Sequence, residues 1–232
     1  RLASKEARSF LALKRPDARI VGDELHPPGQ LKDFAAYVAR IKASDADAVV
    51  TADRGRDMAL LAKAAGEAGL AARFFTFYAG GPGALRGVGD FSVGRLKQVS
   101  EWHENVLPSG IEGLSQEFRK KTGVEFHYLR IRTLMLMLAE AAKKARSNEP
   151  KALARALEGM RYDTATGEVQ MRSTDHQLLQ PLYLSTLYRQ ASRGGPKQVK
   201  YDIDGSGLGF KTDAKIAAEA SAQVTSCVMA RP

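Results

Sequence analysis

The chain is poor in the residues that build disulfide frameworks and metal sites. Its 232 residues include one cysteine, Cys227, and four histidines, at positions 26, 103, 127 and 176. A single thiol cannot close a disulfide within the chain, and it leaves no cysteine pair spaced for a zinc knuckle. The histidines are far apart in the sequence. We therefore expect no metal and no cofactor.

Long apolar runs and catalytic signatures are also lacking. The longest apolar candidate, residues 129–142, is interrupted by Arg130, Arg132 and Glu140, so it predicts an amphipathic core helix rather than a membrane span. No Gly-x-Ser-x-Gly motif occurs, and no acid, base and nucleophile can be named together. These absences argue against an enzyme.

Basic residues exceed acidic ones, 35 to 26, which gives a net charge of +9. They are spread along the chain and do not form one stripe with interleaved aromatic residues, so we expect no nucleic-acid partner. A solvated basic surface is the simpler interpretation, and attraction of acidic ligands is the alternative. With 44% apolar residues the chain can bury a proper core, as one large domain or two small ones.

The most informative stretch lies between residues 45 and 83. Residues 47–51 and 72–78 have the composition of short strands, and the apolar spacing between them predicts a helix over residues 57–68 that Gly69 closes. In open α/β sheets, ligands bind outside the carboxyl ends of parallel strands. Residues 52–56 and 77–83 are therefore expected to line one ligand cleft.

The rest of the chain supports an α/β fold. Residues 2–14 and 33–44 are predicted helices and residues 19–23 a strand, so strands and helices alternate up to residue 83. Alternation of this kind predicts a parallel sheet with helices on both faces. Further along, we expect a long helix at 126–146, strands at 168–172 and 180–188, and a terminal helix at 213–222.

Five segments carry a resemblance: Ile-Val-Gly-Asp-Glu-Leu-His-Pro-Pro-Gly at 20–29, the helical segment from Lys32 to Ser44, Lys-Gln-Val-Ser-Glu-Trp-His at 97–103, the pattern from Thr164 to Tyr183, and the tail at 225–232. These segments resemble one family, the periplasmic branched-chain amino-acid binding proteins of ABC transporters. They occur in the family's order along nearly the whole chain. The resemblance implies the type I periplasmic-binding fold, a two-lobed α/β architecture in which each lobe is a parallel sheet with helices on both faces.

The resemblance also implies a division of the chain. Residues 1–102 would form most of the second lobe, residues 103–179 would belong to the first lobe, and residues 180–232 would cross back to the second lobe and form a tail. Most of the first lobe would precede Arg1, so this sequence is expected to lack the N-terminal part of that lobe. Cys227 would then be either a free tail thiol or a partner for a cysteine in that part.

The function that the resemblance implies is binding without chemistry. The protein would be the periplasmic solute-binding component of an ABC importer, made with a signal peptide that is removed, and it would work as a monomer that delivers a small polar solute to membrane permease subunits. The solute would be a branched-chain or other amino acid, an amide, or a carboxylate such as an aromatic acid. The alternative is a ligand-sensing domain of a receptor or regulator on the same fold.

Six residues are the candidate ligand contacts: Asp53, Arg54, Tyr78, Ala79 and Gly80 after the two strands, and His26 in the loop that follows the predicted strand at 19–23 and could face the cleft. Where the family places an aromatic residue and then an acidic or polar one, this chain has Arg54 and Tyr78. The guanidinium fork of Arg54 suits a carboxylate, whereas Tyr78 cannot receive an ammonium group as an acidic residue would. Each residue also has a structural interpretation, since Arg54 could be a solvated charge, Tyr78 a packing residue and Asp53 a helix cap.

Overall fold

The structure is a computed structural model that describes residues 2–106, 110–127, 129–190, 198–225, 227 and 229. The chain divides into two compact units. The first comprises Arg1–Val99 and Ser185–Lys211, and the second Ser100–Leu184 and Thr212–Pro232. The chain therefore passes between them three times. Residues 212–232 lie with the second unit, and the assignment of the predicted segments 1–102, 103–179 and 180–232 to lobes stays a prediction.

The described elements follow one another along the chain as an α/β pattern. The helices are α1 (Leu2–Lys14), α2 (Ala35–Ala43), α3 (Gly55–Glu67), α4 (Leu85–Val88), α5 (Glu112–Thr122), α6 (Leu129–Ala145) and α7 (Pro150–Leu157), with short 3₁₀ helices at Asp90–Ser92 and Ala218–Ser221. The strands are β1 (Ala48–Val50), β2 (Arg73–Phe77), β3 (Leu96–Ser100), β4 (Arg161–Thr164), β5 (Gly167–Met171), β6 (Leu178–Leu179), β7 (Leu182–Arg189) and β8 (Leu208–Ile216).

A five-stranded sheet in the order β1-β2-β3-β7-β8 organises the first unit. Strands β1, β2 and β3 are parallel, with Val50 opposite Phe75 and Phe75 opposite Lys97. The second unit has a separate three-stranded sheet, β4-β5-β6, in which the paired strands are antiparallel. The predicted parallel pairing is thus confirmed in the first unit, whereas the described sheet of the second unit differs from the expectation because short turns join β4 to β5 and β5 to β6.

Helix α3 shows why this sequence folds as it does beside the sheet. Its residues Met58, Leu61 and Ala65 recur at helical spacing and are buried with Phe74 of β2 in the core of the first unit. The helix ends in a Schellman motif, in which the Leu70 N–H donates to the Ala65 carbonyl at 2.9 Å and the Gly69 N–H to the Gly66 carbonyl at 3.1 Å. The predicted closure by glycine is confirmed, since Gly69 has φ +61°.

Two predicted elements are wrong. Residues 19–23 form no strand in the described part of the chain, and Ile20 and Val21 are 42% and 43% exposed, so their apolar pattern meets no neighbouring strand there. Residues 213–222 were expected to be helical because they favour helices locally. Instead β8 continues to Ile216, where strand pairing overrides local propensity.

The second unit holds two smaller apolar clusters. Trp102, Phe118 and Phe126 meet edge to face, with ring centroids 5.7 Å apart for Trp102–Phe126 and 5.4 Å for Phe118–Phe126. Met137 and Ala141 of α6 pack with Val169 and Met171 of β5 in the other cluster. Among the described residues, no helix combines the length and the apolarity needed to cross a bilayer.

A buried carboxyl group lies beside the aromatic cluster. Glu104 is 4% exposed, the Ser115 hydroxyl donates to its Oε1, and its Oε2 has no hydrogen-bond partner among the described residues. Burial raises the pKa of Glu104 to about 7, although the Ser115 hydrogen bond acts in the opposite direction. The folded state therefore favours the neutral acid.

Glu104→Gln is expected to stabilise the protein at pH 8 and to change little at pH 5. The pKa of Glu104 is higher in the folded than in the unfolded chain, so its favourable contribution is present at low pH and is lost as the pH rises through 7. The gain at pH 8 should be on the order of 3 kcal/mol, because each pKa unit corresponds to about 1.4 kcal/mol. Urea unfolding of both proteins at pH 5 and pH 8 measures the change in the free energy of unfolding. A change that is the same at both pH values would contradict the raised pKa of Glu104.

Candidate functional site

The carboxyl ends of β1 and β2 lie at the same edge of the sheet, as predicted. The Thr51 N–H, just after β1, donates to the Phe75 carbonyl at 2.9 Å and extends the parallel pairing. One step further, the Thr76 hydroxyl of β2 donates to the Asp53 backbone carbonyl at 2.8 Å. This second bond holds the turn after β1 against the neighbouring strand, so both strand ends open onto one region.

The turn after β1 is fixed by the side chain of Asp53. Its Oδ2 accepts from the Thr51 hydroxyl at 2.9 Å, and its Oδ1 lies 2.8 Å from Nε2 of His26. The predicted alternative, that Asp53 caps the following helix, is wrong: Arg54 is the N-cap residue of α3, and no side chain makes a capping bond there. Both carboxylate oxygens of Asp53 are therefore already engaged.

His26 belongs to the same region through packing as well as hydrogen bonding. Its ring meets Phe34 edge to face with centroids 4.9 Å apart, and Tyr37 at 5.8 Å. The side chains of His26 and Asp53 are only 14% and 12% exposed. His26 thus lies beside the turn after β1, and its Nε2 faces Asp53.

Arg54 presents the one guanidinium placed directly after β1. Its backbone is extended, with φ −148° and ψ 165°, and the residue is exposed. Within the described part of the chain its side chain makes no hydrogen bond or ion pair. A guanidinium that is exposed and not engaged by neighbours is available to an anionic ligand.

The turn after β2 begins at Tyr78, a half-buried residue with φ +53°. Ala79 and Gly80 follow and are buried. The Gly80 N–H donates to Oε1 of Gln98 at 3.1 Å. Of the three candidate contacts here, Tyr78 is therefore accessible, whereas Ala79 and Gly80 pack inside the first unit.

Asp57 is a neighbour of this site that the sequence reasoning missed. It lies in the first turn of α3 and is 8% exposed, and its Oδ2 accepts from the Gly29 N–H at 2.7 Å. One ligand-capable atom from each of His26, Asp53 and Asp57 lies within 4.8 Å of the others. A sequence signal existed, because Asp57 lies four residues before Leu61 and therefore on the apolar face of α3, but its partner Gly29 is distant in the chain.

Comparison with known proteins places the chain in a family. Residues 3–198 match the family model described as "Periplasmic binding protein", so the chain belongs to that family. It is 28% identical over 221 residues to "Leu/Ile/Val-binding protein homolog 4" of Brucella abortus, a match that covers 92% of this chain and 51% of the relative. The chain thus spans about half the length of the curated relatives it matches. The family is one of binding proteins and not of enzymes.

Solved structures show the same fold. The closed conformation of the leucine-, isoleucine-, valine-, threonine- and alanine-binding protein from Brucella ovis has a TM-score of 0.82 and 25% identity, over 97% of this chain and 58% of that one. A solute-binding protein from Rhodopseudomonas palustris HaA2, in complex with p-hydroxybenzoic acid, has a TM-score of 0.69 and 16% identity, over 93% and 57%. The type I periplasmic-binding fold predicted for this chain is confirmed.

Gly80→Ala is expected to destabilise the protein. A Cβ at this position would lie 3.0 Å from the Phe210 ring and 3.2 Å from the Ile203 side chain, both of which are buried and cannot easily move. Overpacking of this kind costs about 1–3 kcal/mol. The measurement is the free energy of unfolding in urea.

Gly81→Ala is the matched control. Its Cβ would meet only the Tyr78 carbonyl at an ordinary contact distance of 3.6 Å. It should change the free energy of unfolding by less than about 0.5 kcal/mol. Equal effects of the two substitutions would show that the turn after β2 is not packed as described.

Proposed function

We propose that the protein is the periplasmic solute-binding component of an ABC importer and that it delivers a small organic carboxylate to membrane permease subunits as a monomer. The observation that carries the proposal is the shared edge at which the ends of β1 and β2 meet, held by the bond from Thr76 to Asp53. Ligands of open α/β sheets bind at such an edge. Membership in the periplasmic binding protein family supports the same function.

The side chains at this edge favour a carboxylate over an amino acid. The exposed guanidinium of Arg54 provides a planar pair of donors for a carboxylate group. An amino acid also needs an acceptor for its ammonium, yet both oxygens of Asp53 already accept from His26 and Thr51. The ring of Tyr78 offers a flat contact for an aromatic solute.

The relatives support this choice of solute class without deciding it. The Brucella ovis protein is described as binding five amino acids, whereas the Rhodopseudomonas palustris HaA2 protein was solved with p-hydroxybenzoic acid and a similar protein from strain BisB5, with a TM-score of 0.64, was solved with 3,4-dihydroxybenzoic acid. One fold therefore serves both classes of solute. We infer that this chain belongs with the binders of aromatic acids, with Arg54 and Tyr78 as solute contacts and with Ala79 and Gly80 shaping the turn.

Arg54→Ala in the complete protein is expected to weaken binding of p-hydroxybenzoate at least tenfold, measured by titration calorimetry. The reason is the loss of a charge-assisted hydrogen bond, which is worth about 1.5–3 kcal/mol. The melting temperature of the free protein should hardly change, because Arg54 is exposed.

Arg56→Ala provides the control, since it removes the same charge from an exposed position two residues away. It should leave the affinity within about twofold of the unmodified protein, because general charge attraction at a distance is screened by salt. Equal losses in the two variants would reduce the role of Arg54 to long-range attraction. Tighter binding of leucine than of any aromatic acid would overturn the proposed solute class.

A further inference from the structure

His26, Asp53 and Asp57 bring three potential metal ligands together from three parts of the first unit. His26 comes from the segment before α2, Asp53 from the turn after β1, and Asp57 from the first turn of α3. One ligand atom from each lies within 4.8 Å of the other two. Ligands around a four-coordinate Zn²⁺ lie about 3.4 Å apart, given bonds of roughly 2.0–2.2 Å, so small side-chain shifts would complete the geometry.

One carboxylate oxygen of this cluster lacks the partner that a buried oxygen needs. Asp57 is 8% exposed, and Oδ2 accepts from the Gly29 N–H. Its Oδ1 is buried and has no hydrogen-bond donor in the described part of the chain. A buried carboxylate oxygen in this state is costly unless a donor or a cation reaches it.

The charge of the cluster is likewise not balanced by a basic residue. Within the described residues, no lysine or arginine forms an ion pair with Asp53 or Asp57, and Arg54 and Arg56 are both exposed. Buried carboxylates in proteins are paired with cationic groups or coordinate metals. Among the described residues, His26 is the basic group that pairs with one of these carboxylates.

The orientation of His26 fits a ligand that binds through Nε2. Its Nδ1 lies 3.4 Å from the Pro27 carbonyl, which can accept a hydrogen bond from an N–H at Nδ1. Metal-bound histidines commonly donate their other ring N–H to a backbone carbonyl in this way. A proton shared by Nε2 and Asp53 Oδ1 accounts for their distance of 2.8 Å, and a metal ion that binds here displaces that proton.

We propose that His26, Asp53 and Asp57 bind one divalent transition-metal ion, with Zn²⁺ as the expected occupant. One imidazole nitrogen and two carboxylate oxygens match the preferences of Zn²⁺ and leave a fourth position for water. Mg²⁺ prefers an octahedral shell of oxygens and is not expected to bind here. The ion joins the segment before α2, the turn after β1 and α3, and the site stands whatever solute the protein carries.

The test is zinc binding to the complete protein after treatment with EDTA. Titration calorimetry with zinc chloride should show one ion per chain, and zinc should raise the melting temperature because a ligand that binds only the folded state stabilises it. Magnesium chloride at the same concentration should do neither. Cobalt(II) should give the visible absorption of a four-coordinate ion with one imidazole ligand.

Variants show whether the ion binds at this cluster. Asp57→Asn retains an oxygen that can accept from the Gly29 N–H, and His26→Gln removes the imidazole; each should weaken zinc binding at least tenfold. Asp47→Asn is the control, because the Asp47 side chain is 93% exposed and precedes β1, whereas Asp53 lies in the turn after β1. It should bind zinc as the unmodified protein does.

Two results would overturn the proposal. One is the absence of stoichiometric zinc binding in the unmodified protein, and the other is zinc affinity that Asp57→Asn and His26→Gln leave intact. If both variants fail to fold, the cobalt spectrum of the unmodified protein decides, since a six-coordinate spectrum without imidazole contradicts the assignment. Binding of p-hydroxybenzoate measured in EDTA reports on the solute site separately.

Discussion

The parallel pairing of β1 and β2 is the constraint on which the account depends. Because the two strands run in the same direction, the turns that follow them must emerge at one edge, and the bond from the Thr76 hydroxyl to the Asp53 carbonyl fixes their separation. Arg54 and Tyr78, which follow β1 and β2, therefore both lie in turns at that edge. Without that pairing, the two turns would not emerge at one edge, and the two residues would not be expected to contact the same ligand.

Contacts around the turn after β1 hold the backbone that carries the exposed Arg54. Asp53 is held by Thr51 and His26, and His26 is held by Phe34 and Tyr37, so the backbone that carries Arg54 is braced from two sides. A guanidinium on a braced backbone loses less freedom when it binds a ligand. The side chains of Asp53 and His26 therefore limit the movement of the backbone that positions Arg54.

The elements around the site could be predicted because their signals are local. The spacing of Met58, Leu61 and Ala65 and the glycine at 69 are enough to place α3, and two short apolar runs are enough to place β1 and β2. Pairing partners are not local. Residues 19–23 have the composition of a strand but pair with none that the structure describes, and residues 213–216 have the composition of a helix but continue β8.

Local sequence patterns select site residues only where those residues follow a predicted strand. Asp53 was expected in the turn after residues 47–51 and His26 in the loop after residues 19–23, but no pattern joined them: their hydrogen bond spans 27 positions, and Asp57 meets Gly29 across 28 positions. Such contacts depend on how the segment before α2 packs, which no local pattern specifies.

The most direct test of the proposed solute site is a crystal structure of the complete protein with p-hydroxybenzoate. The account predicts the solute carboxylate about 2.7–2.9 Å from the Arg54 guanidinium. A solute bound away from both turns would contradict it.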